Sequence, residues 1–377
     1  MERNICAICD TKLSIDDIIC NIHNVPIKIT CTDNKISQLE DMIFAQCNKC
    51  NTIQLQKLIP LEILYNGSHN FTSSGILWDN YFKLFSKTID NYVKDKTILE
   101  IGCPSGKIAM NVNNYNKWFI IEPNINKDIH FNKNIYYIES FFDENLTINE
   151  NIDLIIHSHL FEHIYYPNNF LKKCYELLND NGEMFFGVPN MTYFTQSNNT
   201  TFLGLFFEHT IFLNEENIVY LLSKNNFKII NIIYYDNHSI IYHCKKISKD
   251  KLIINNDFKI TNYYTYFIES INKYKEYINQ YNYIILSTNK DIYLFGASYN
   301  TQQLLVLGLL SNKIKGILDN CTGKHNKFFY GYDLKICDPK TILSNNNNCI
   351  VILKNGNYTN EIKEQILSIN PNIEIIM

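Results

Sequence analysis

Residues 97–106 read Thr-Ile-Leu-Glu-Ile-Gly-Cys-Pro-Ser-Gly, and this stretch decides the fold. An apolar strand, Thr97–Ile101, runs directly into a turn that carries Gly102 and Gly106, and a helix-compatible stretch begins at Lys107. Glycines at such a turn let a ligand approach the backbone closely. The turn alone does not identify the ligand, because Gly-x-x-x-Gly after a strand also occurs in dehydrogenases and other nucleotide binders. The Gly-x-Gly-x-x-Gly pattern of dinucleotide folds is missing.

The sequence around this turn alternates apolar strands with amphipathic helices. Glu122 follows the second strand, where an acidic side chain can accept hydrogen bonds from a ribose. A helix is predicted near 168–178. This alternation is typical of a Rossmann-like α/β domain, with a mostly parallel sheet covered by helices on both faces. The further predicted strands are Lys117–Ile121, 134–138, 152–156, 183–188, Phe227–Tyr235 and 238–244.

The cysteines mark a separate N-terminal module. Two C-x2-C pairs lie within the first 50 residues, whereas the cysteines beyond them are scattered singly. Two such knuckles can supply four thiolates to a tetrahedral zinc ion, and four thiolates leave no open position for catalysis. We therefore predict a structural zinc site, with Cys20 and Cys31 as buried thiols between the knuckles. The predicted ligands are Cys6, Cys9, Cys47 and Cys50.

A second α/β unit follows a long amphipathic helix predicted over 262–281. Its strand Asp291–Phe295 enters a turn at Gly296, and a later strand, Ile314–Leu318, ends in Asp319. This pattern is a half-Rossmann unit with an acid after its second strand. We accordingly predict three domains: a zinc-binding module at 1–62, a central domain at 63–250 and a C-terminal Rossmann-like domain at 251–377.

The segment LEIGCPSG resembles motif I of the class I S-adenosylmethionine-dependent methyltransferases, and DLIIHSHLFEHI and LLNDNGEMFFGVPN resemble their fourth and fifth strands. The order of the three domains, with IYLFGAS and ILDNCTGKHNKFFYGYDL in the last, resembles the nucleotide-deoxysugar C-methyltransferases over nearly the whole chain. The resemblance implies that S-adenosylmethionine is the cofactor. Its expected contacts are Glu100, Gly102, Cys103, Gly106, Glu122 and His157.

The resembling enzymes carry an aromatic-x-Glu-His segment after the fifth strand, which here reads Phe206-Phe207-Glu208-His209. Methylation of carbon requires removal of a proton next to a ketone, and a base that titrates near neutrality suits that step. The resemblance therefore implies that His209 is the base, with Glu208 orienting its ring or binding a sugar hydroxyl. The alternative is that His209 is only a hydrogen-bonded packing residue.

The predicted substrate contacts are Asn190, His69 and His238. His238 stands where the resembling enzymes have a His-Gly-Gly-Ser turn, but Ser239 and Ile240 replace the glycines. Phe206 stands where many of them place a tyrosine. These departures weaken the case for C-methylation of a keto sugar and leave an oxygen or nitrogen acceptor open.

Composition restricts the partners of the chain. Its 34 basic and 38 acidic residues give a formal charge of -4, which argues against a nucleic-acid partner. No apolar run approaches the roughly 20 residues that span a bilayer, so we predict a cytoplasmic enzyme without a membrane partner. Its expected substrate is a nucleotide-linked sugar used in surface-glycan or natural-product assembly. The rival hypotheses are a non-catalytic zinc/Rossmann scaffold and, more weakly, an NAD-dependent sugar oxidoreductase.

Overall fold

The computed structural model of the chain describes residues 1–66, 76–125, 134–191, 193, 206–248, 260–344, 346–354 and 356–377. Within these residues the strands form sheets of three, seven, five and two strands. The seven-stranded sheet lies in the middle of the sequence, and the five-stranded sheet follows it. The predicted α/β fold class is confirmed.

The N-terminal part builds a small antiparallel sheet in the order β1-β3-β4. One cysteine pair precedes this sheet, and the other occupies the turn between β3 and β4. All three residues of β4 are buried, so the sheet packs against the rest of the protein. A short helix, α1 (Leu61–Leu64), follows it. The strands are β1 (Ile18–Pro26), β2 (Cys31–Thr32), β3 (Leu39–Gln46) and β4 (Ile53–Leu55).

The seven-stranded sheet has the order β10-β11-β9-β8-β5-β6-β7. Its strands are parallel except at β11, which pairs antiparallel with both β9 and β10. The strands are β5 (Thr97–Ile101), β6 (Lys117–Ile121), β7 (Ile135–Ile138), β8 (Ile152–Ser158), β9 (Leu178–Pro189), β10 (Phe227–Tyr235) and β11 (Ser239–Lys246).

Helices cover both faces of this sheet because successive side chains of each strand point to opposite sides. On one face Ile98 packs with Phe85 of α2 (Ile76–Ile89). On the other face Leu99 belongs to the same apolar cluster as residues of α3 (Pro167–Leu177) and α4 (Glu215–Lys224). Both faces of the predicted strands are therefore apolar, as a buried parallel sheet requires.

The C-terminal part is a five-stranded parallel sheet in the order β15-β13-β12-β16-β17. The 24-residue helix α5 precedes it. The elements are α5 (Tyr264–Ser287), β12 (Asp291–Phe295), α6 (Tyr299–Val306), β13 (Ile314–Leu318), β14 (Phe328–Phe329), β15 (Ile336–Cys337), α7 (Pro339–Leu343), β16 (Cys349–Ile352), α8 (Thr359–Ile369) and β17 (Glu374–Ile376).

The N-terminal and C-terminal parts contact each other directly. Strand β14 pairs antiparallel with β2. Gln302 of α6, which is buried, donates hydrogen bonds from Nε2 to the carbonyl oxygens of Pro26 (3.2 Å) and Lys28 (3.0 Å). The ring of Phe44 lies 5.0 Å from that of Phe267 in α5. These contacts hold the carboxyl ends of both parallel sheets near one common space.

Two helix predictions differ from the structure. The stretch after Lys107 forms only a 3-10 turn at Ala109–Asn111, and Asn114 then adopts a left-handed φ of 66°. Asparagine side chains bond to nearby backbone and favour such turns over helix. The predicted helix at 262–281 is shifted and longer, since it occupies Tyr264–Ser287. Among the described residues, no helix combines the length and apolarity needed to cross a bilayer.

Candidate active site

An open cavity of about 1170 Å³ lies at the carboxyl ends of the two parallel sheets. The N-terminal part contributes Thr30 and Cys31, the seven-stranded sheet contributes its loops, and the C-terminal part contributes the turn after β12. Ligands of open α/β sheets bind at this edge. The volume exceeds the roughly 300–1,000 Å³ of an ordinary ligand pocket, so it can hold two ligands at once.

Gly102 and Glu122 line the cavity side by side, at the ends of β5 and β6. Gly102 has a left-handed φ of 75°, and a Cβ there would lie 2.8 Å from Cδ1 of Leu160. Only glycine therefore suits this position. Glu122 is 6% exposed, and its Oε1 accepts a hydrogen bond from the backbone N–H of Asn124 at 2.8 Å. The two residues form a small surface of backbone and carboxylate that suits a ribose and its attached chain.

The other residues of the glycine turn lie beneath this surface. Glu100 is buried, and its Oε2 accepts a hydrogen bond from Nε1 of Trp118 at 2.8 Å. Burial raises the pKa of Glu100 to about 7, although Cys103 and Trp118 both act to lower it. Neither Glu100, Cys103 nor Gly106 is among the residues that line the cavity. These three residues thus lie behind the cavity surface, where they support the turn.

His157 lies elsewhere than the sequence predicts. Its imidazole is fully buried, stacks on Phe186 with a centroid distance of 4.9 Å and meets the ring of Phe170 at 5.3 Å. Burial lowers its pKa to about 3. Because the ring belongs to the core and does not line the cavity, the structure does not support a cofactor contact for His157, and the neighbouring His159 takes the cavity position.

His209 lies in the cavity wall and forms a pair with His163. The two Nε2 atoms are 3.2 Å apart, and His163 Nδ1 lies 2.9 Å from the hydroxyl oxygen of Tyr65. Oε2 of Glu208 is 4.0 Å from the same Nδ1. A hydrogen bond between two imidazoles requires a proton on one nitrogen and a lone pair on the other. The chain Tyr65–His163–His209 can therefore share and move one proton.

A buried acid lies next to this pair. Glu162 is 4% exposed, and its Oε1 lies 3.4 Å from Nδ1 of His159. Burial alone would raise the pKa of Glu162, but His159, His163 and His209 together lower it to about 2. The acid is thus a fixed negative charge beside the histidines. The ligand atoms of Glu162, His163 and His209 lie within 4.8 Å of one another, yet the two imidazole nitrogens that face each other already form a hydrogen bond.

His238 lines the other side of the cavity. Oγ of Ser239 lies 2.6 Å from Nδ1 of His238 and 2.8 Å from Nε2 of His159, so it joins the two rings. Trp78 meets both rings edge-on, at 4.6 and 4.7 Å. Burial and the neighbouring His159 lower the pKa of His238 to about 4. His238 is accordingly a neutral, oriented side chain on the cavity wall at neutral pH.

The remaining predicted substrate residues do not join this wall. Oδ1 of Asn190 accepts a hydrogen bond from the backbone N–H of Tyr193 at 3.3 Å, and Asn190 does not line the cavity. Its side chain closes a turn. His69 lies outside the described residues. The sequence interpretation missed Tyr65, which carries no local signal, because only the folded chain brings it to His163.

Asp319, the acid predicted after the second strand of the C-terminal unit, accepts hydrogen bonds from its own loop. Oδ2 of Asp319 accepts hydrogen bonds from the backbone N–H of Ala297 (2.8 Å) and from Nζ of Lys324 (3.1 Å), and Oδ1 accepts one from the N–H of Cys321 (2.8 Å). An acid used in this way has little capacity left for the hydroxyls of a dinucleotide ribose. This arrangement argues against the NAD-dependent hypothesis.

The four knuckle cysteines converge in the N-terminal module. Their sulfur atoms all lie within 4.8 Å of one another, with 3.6 Å between Cys6 and Cys50 and between Cys9 and Cys47. Tetrahedral zinc with Zn–S bonds of about 2.3 Å needs sulfurs roughly 3.8 Å apart. Nε2 of Gln54, a buried residue, donates to the sulfur of Cys6 at 3.3 Å. The cluster therefore has the ligands, spacing and supporting donor that zinc requires.

Comparisons with known proteins agree with this geometry. A family model described as "Methyltransferase domain" matches residues 77–232. The chain is a methyltransferase. A second model, "C-methyltransferase C-terminal domain", matches residues 254–372 of the methyltransferase. No curated protein matches the chain significantly.

Solved structures similar to the methyltransferase match just under half of it. They include the N-methyltransferase NodS from Bradyrhizobium japonicum in complex with S-adenosylhomocysteine, with 10% identity over 49% of this chain and 94% of that one, at a TM-score of 0.39. A methyltransferase from Aquifex aeolicus has 12% identity over 45% and 93% of the two chains, at 0.35. The CurJ carbon methyltransferase has 12% identity over 47% and 56%, at 0.38.

Proposed function

We propose that the methyltransferase transfers a methyl group to a carbon atom next to a ketone in a nucleotide-linked deoxysugar, with His209 as the base. The observation that carries the proposal is the Tyr65–His163–His209 chain, which faces the same cavity as Gly102 and Glu122. The match of residues 254–372 to a C-methyltransferase C-terminal domain supports carbon as the acceptor.

Gly102 and Glu122 would hold the cofactor. The backbone at Gly102 would approach the methionine end, and the carboxylate of Glu122 would accept hydrogen bonds from the ribose hydroxyls. Glu100, Cys103 and Gly106 would act indirectly: from behind the cavity surface, they would fix the conformation of the turn. When bound, S-adenosylmethionine would supply a methyl group from its sulfonium. Loss of this methyl group leaves the sulfur as a neutral thioether.

His209 would take the proton from the carbon next to the ketone, and the enolate carbon would then attack the methyl group. His163 would accept or return the proton at the shared Nε2–Nε2 contact of 3.2 Å. Glu208, 4.0 Å from His163, would stabilise the protonated pair. General-base catalysis by a side chain within hydrogen-bond reach of the proton that it removes contributes about 10²–10⁴-fold to the rate.

The acceptor would occupy the part of the cavity beyond the histidines. His238 on one wall would bind the sugar, and the turn after β12 with Lys324 would lie near its nucleotide diphosphate. His69 stays a proposed substrate residue on sequence grounds. The position of Asn190 favours a role in shaping the turn beside His238, because its backbone N–H donates to the carbonyl oxygen of His238 at 3.1 Å.

An oxygen or nitrogen acceptor is the second candidate, and Phe206 favours it. Its ring centroid lies 4.3 Å from that of His209. An apolar phenyl ring therefore lies where the hydroxyl of a tyrosine could bind a keto oxygen. Transfer to a hydroxyl or amine needs proton removal but no enolate. The two candidates therefore differ in whether the enzyme exchanges a carbon-bound proton.

Proton exchange without methyl transfer tests the proposal. Nucleotide-linked 4-keto sugars are incubated in D₂O with enzyme and S-adenosylhomocysteine, and deuterium uptake is followed by mass spectrometry. We expect uptake at the carbon next to the ketone, its loss in His209→Gln, and its retention in the control His23→Gln, whose side chain is 68% exposed. Methylation of the sugar without any carbon-bound exchange in the wild type would favour the oxygen or nitrogen acceptor.

We also propose that Cys6, Cys9, Cys47 and Cys50 bind structural zinc and that the enzyme works in the cytoplasm. The four convergent sulfurs support the first proposal. None of the twelve cysteines, all of which lie among the described residues, forms a disulfide, which supports the second, because thiols persist in a reducing compartment. Metal analysis that finds about one zinc per chain, lost on substitution of these cysteines, is the result that the first proposal requires.

A further inference from the structure

Arg3 is a buried cation at the junction between the cysteine module and the active site. Its side chain is 2% exposed, and its backbone N–H donates to the carbonyl oxygen of Gln56. Burying a charge is costly unless hydrogen bonds compensate it. Burial lowers the pKa of Arg3 to about 10, so the guanidinium is charged at neutral pH. Its neighbours must therefore be arranged to accept hydrogen bonds.

The guanidinium donates to three segments of the chain. Nη1 donates to the carbonyl oxygens of Leu55 (2.8 Å) and Thr210 (3.1 Å). Nη2 donates to the carbonyl oxygen of Tyr165 (3.1 Å) and to Oγ1 of Thr210 (3.0 Å). Thr210 directly follows His209, and Tyr165 comes two residues after His163. One planar fork therefore bonds to the backbone next to both members of the histidine pair.

The cysteine module also holds the His209 segment by strand pairing. The backbone N–H of Leu55 donates to the carbonyl oxygen of Thr210 at 2.8 Å, and that of Phe212 donates to the carbonyl oxygen of Ile53 at 2.9 Å. Gln54 and Ile211 form an antiparallel bridge. The segment that carries His209 thus pairs with β4 at the edge of the small sheet. The Arg3 guanidinium joins that segment to the backbone near His163, and the hydroxyl of Tyr165 also donates to the carbonyl oxygen of Phe207 at 3.4 Å.

We infer that Arg3 is a positioning residue that sets the separation between His163 and His209. The inference rests on the function proposed above. The fork has fixed geometry, and a lysine ammonium is a point charge on a flexible stem, so Arg3→Lys keeps the charge and loses the alignment. Misplacement of catalytic groups by about 1 Å can cost roughly 100-fold in rate.

The test compares Arg3→Lys, Arg3→Ala and the control Lys57→Met, which removes a partly exposed cation that pairs with Glu40 in the same module. Two readouts need no acceptor: S-adenosylmethionine affinity by calorimetry and the ring NMR signals of His163 and His209 across a pH titration. We expect both arginine variants to keep the affinity and to change the histidine titration, with turnover about 100-fold lower at unchanged KM. Guanidinium ion at millimolar concentration should restore Arg3→Ala, whereas urea should not.

If Arg3→Ala does not fold, Thr210→Val removes the single Nη2–Oγ1 bond at constant volume. We expect it to lower kcat by about tenfold and to shift the same histidine signals. Unchanged histidine titration in folded variants, or loss of turnover only in parallel with thermal stability, would overturn the positioning role. Absence of methyl transfer in the wild type would count against the proposed function, whereas the NMR readout would still decide the role of Arg3.

Discussion

Replacement of Glu122 by glutamine tests the cofactor site most directly. The side chain lies at the end of β6, is 6% exposed and faces the cavity beside Gly102. Glu122→Gln would keep the shape of the side chain and the Oε1 that accepts from the N–H of Asn124. The substitution therefore removes the negative charge and leaves the fold of the turn intact.

The expected loss follows from the hydrogen bonds to the ribose. A hydrogen bond to a charged group contributes about 1.5–3 kcal/mol, against about 1 kcal/mol for a neutral one. The amide also offers only one acceptor atom where the carboxylate offers two. A net loss of about 2 kcal/mol corresponds to a roughly 30-fold rise in Kd. Glu122→Ala should cost more, because it also removes the contact with Asn124.

Calorimetric titration of S-adenosylmethionine and S-adenosylhomocysteine into the protein measures this change. Glu150→Gln is the matched control, because its carboxylate pairs with Lys117 at the opposite end of β6. We expect the control to bind like the wild type. Equal affinity of Glu122→Gln and the wild type for both ligands would refute the assignment of Glu122 to the ribose.

Three further predictions concern the zinc site, the glycine turn and the buried histidine. Cys47→Ser should abolish zinc binding, measured by metal analysis, and lower thermal stability, since metal binding contributes about 10 kcal/mol or more to folding. Gly102→Ala should weaken S-adenosylmethionine binding and destabilise the fold by about 1–3 kcal/mol in a denaturant titration, because its Cβ would meet Leu160 at a left-handed φ. His157 is neutral when folded, with a pKa of about 3, so protonation of the unfolded chain should reduce stability as the pH falls below about 6.5. In His157→Phe, the decrease in unfolding free energy at pH 5 should be smaller by up to about 2 kcal/mol. The free energy of unfolding would therefore depend less steeply on pH.

Much of the sheet could be predicted because strand signals are local. Lys117–Ile121 and Phe227–Tyr235 have the predicted bounds, since each is a run of apolar and β-branched residues between polar turns. The structure after Lys107 could not be predicted, because its apolar spacing fits a helix while the asparagines that follow prefer turns.

Less of the candidate site than of the sheet could be predicted from the sequence. The contact of Tyr65 with His163 joins residues 98 positions apart, and no local pattern indicates it. His157 and His159 are two residues apart, so regular strand alternation would place them on the same face. His159 instead has a left-handed φ of 50°, and the alternation ends after Ser158. One ring therefore enters the core while the other lines the cavity.

The structure divides the proposed reaction between parts of the chain that are separate in sequence. The proposed cofactor residues, Gly102 and Glu122, lie at the ends of strands of the seven-stranded sheet, whereas the segment with His209 is paired to β4 of the cysteine module. Loss of zinc should therefore disturb His209 more than it disturbs cofactor binding. Because the same module also pairs with β14 of the C-terminal part, it connects the proposed base to the wall that would hold the nucleotide. The cysteine module would thus determine how donor, base and acceptor meet, although a zinc ion held by its four thiolates would have no open position for chemistry.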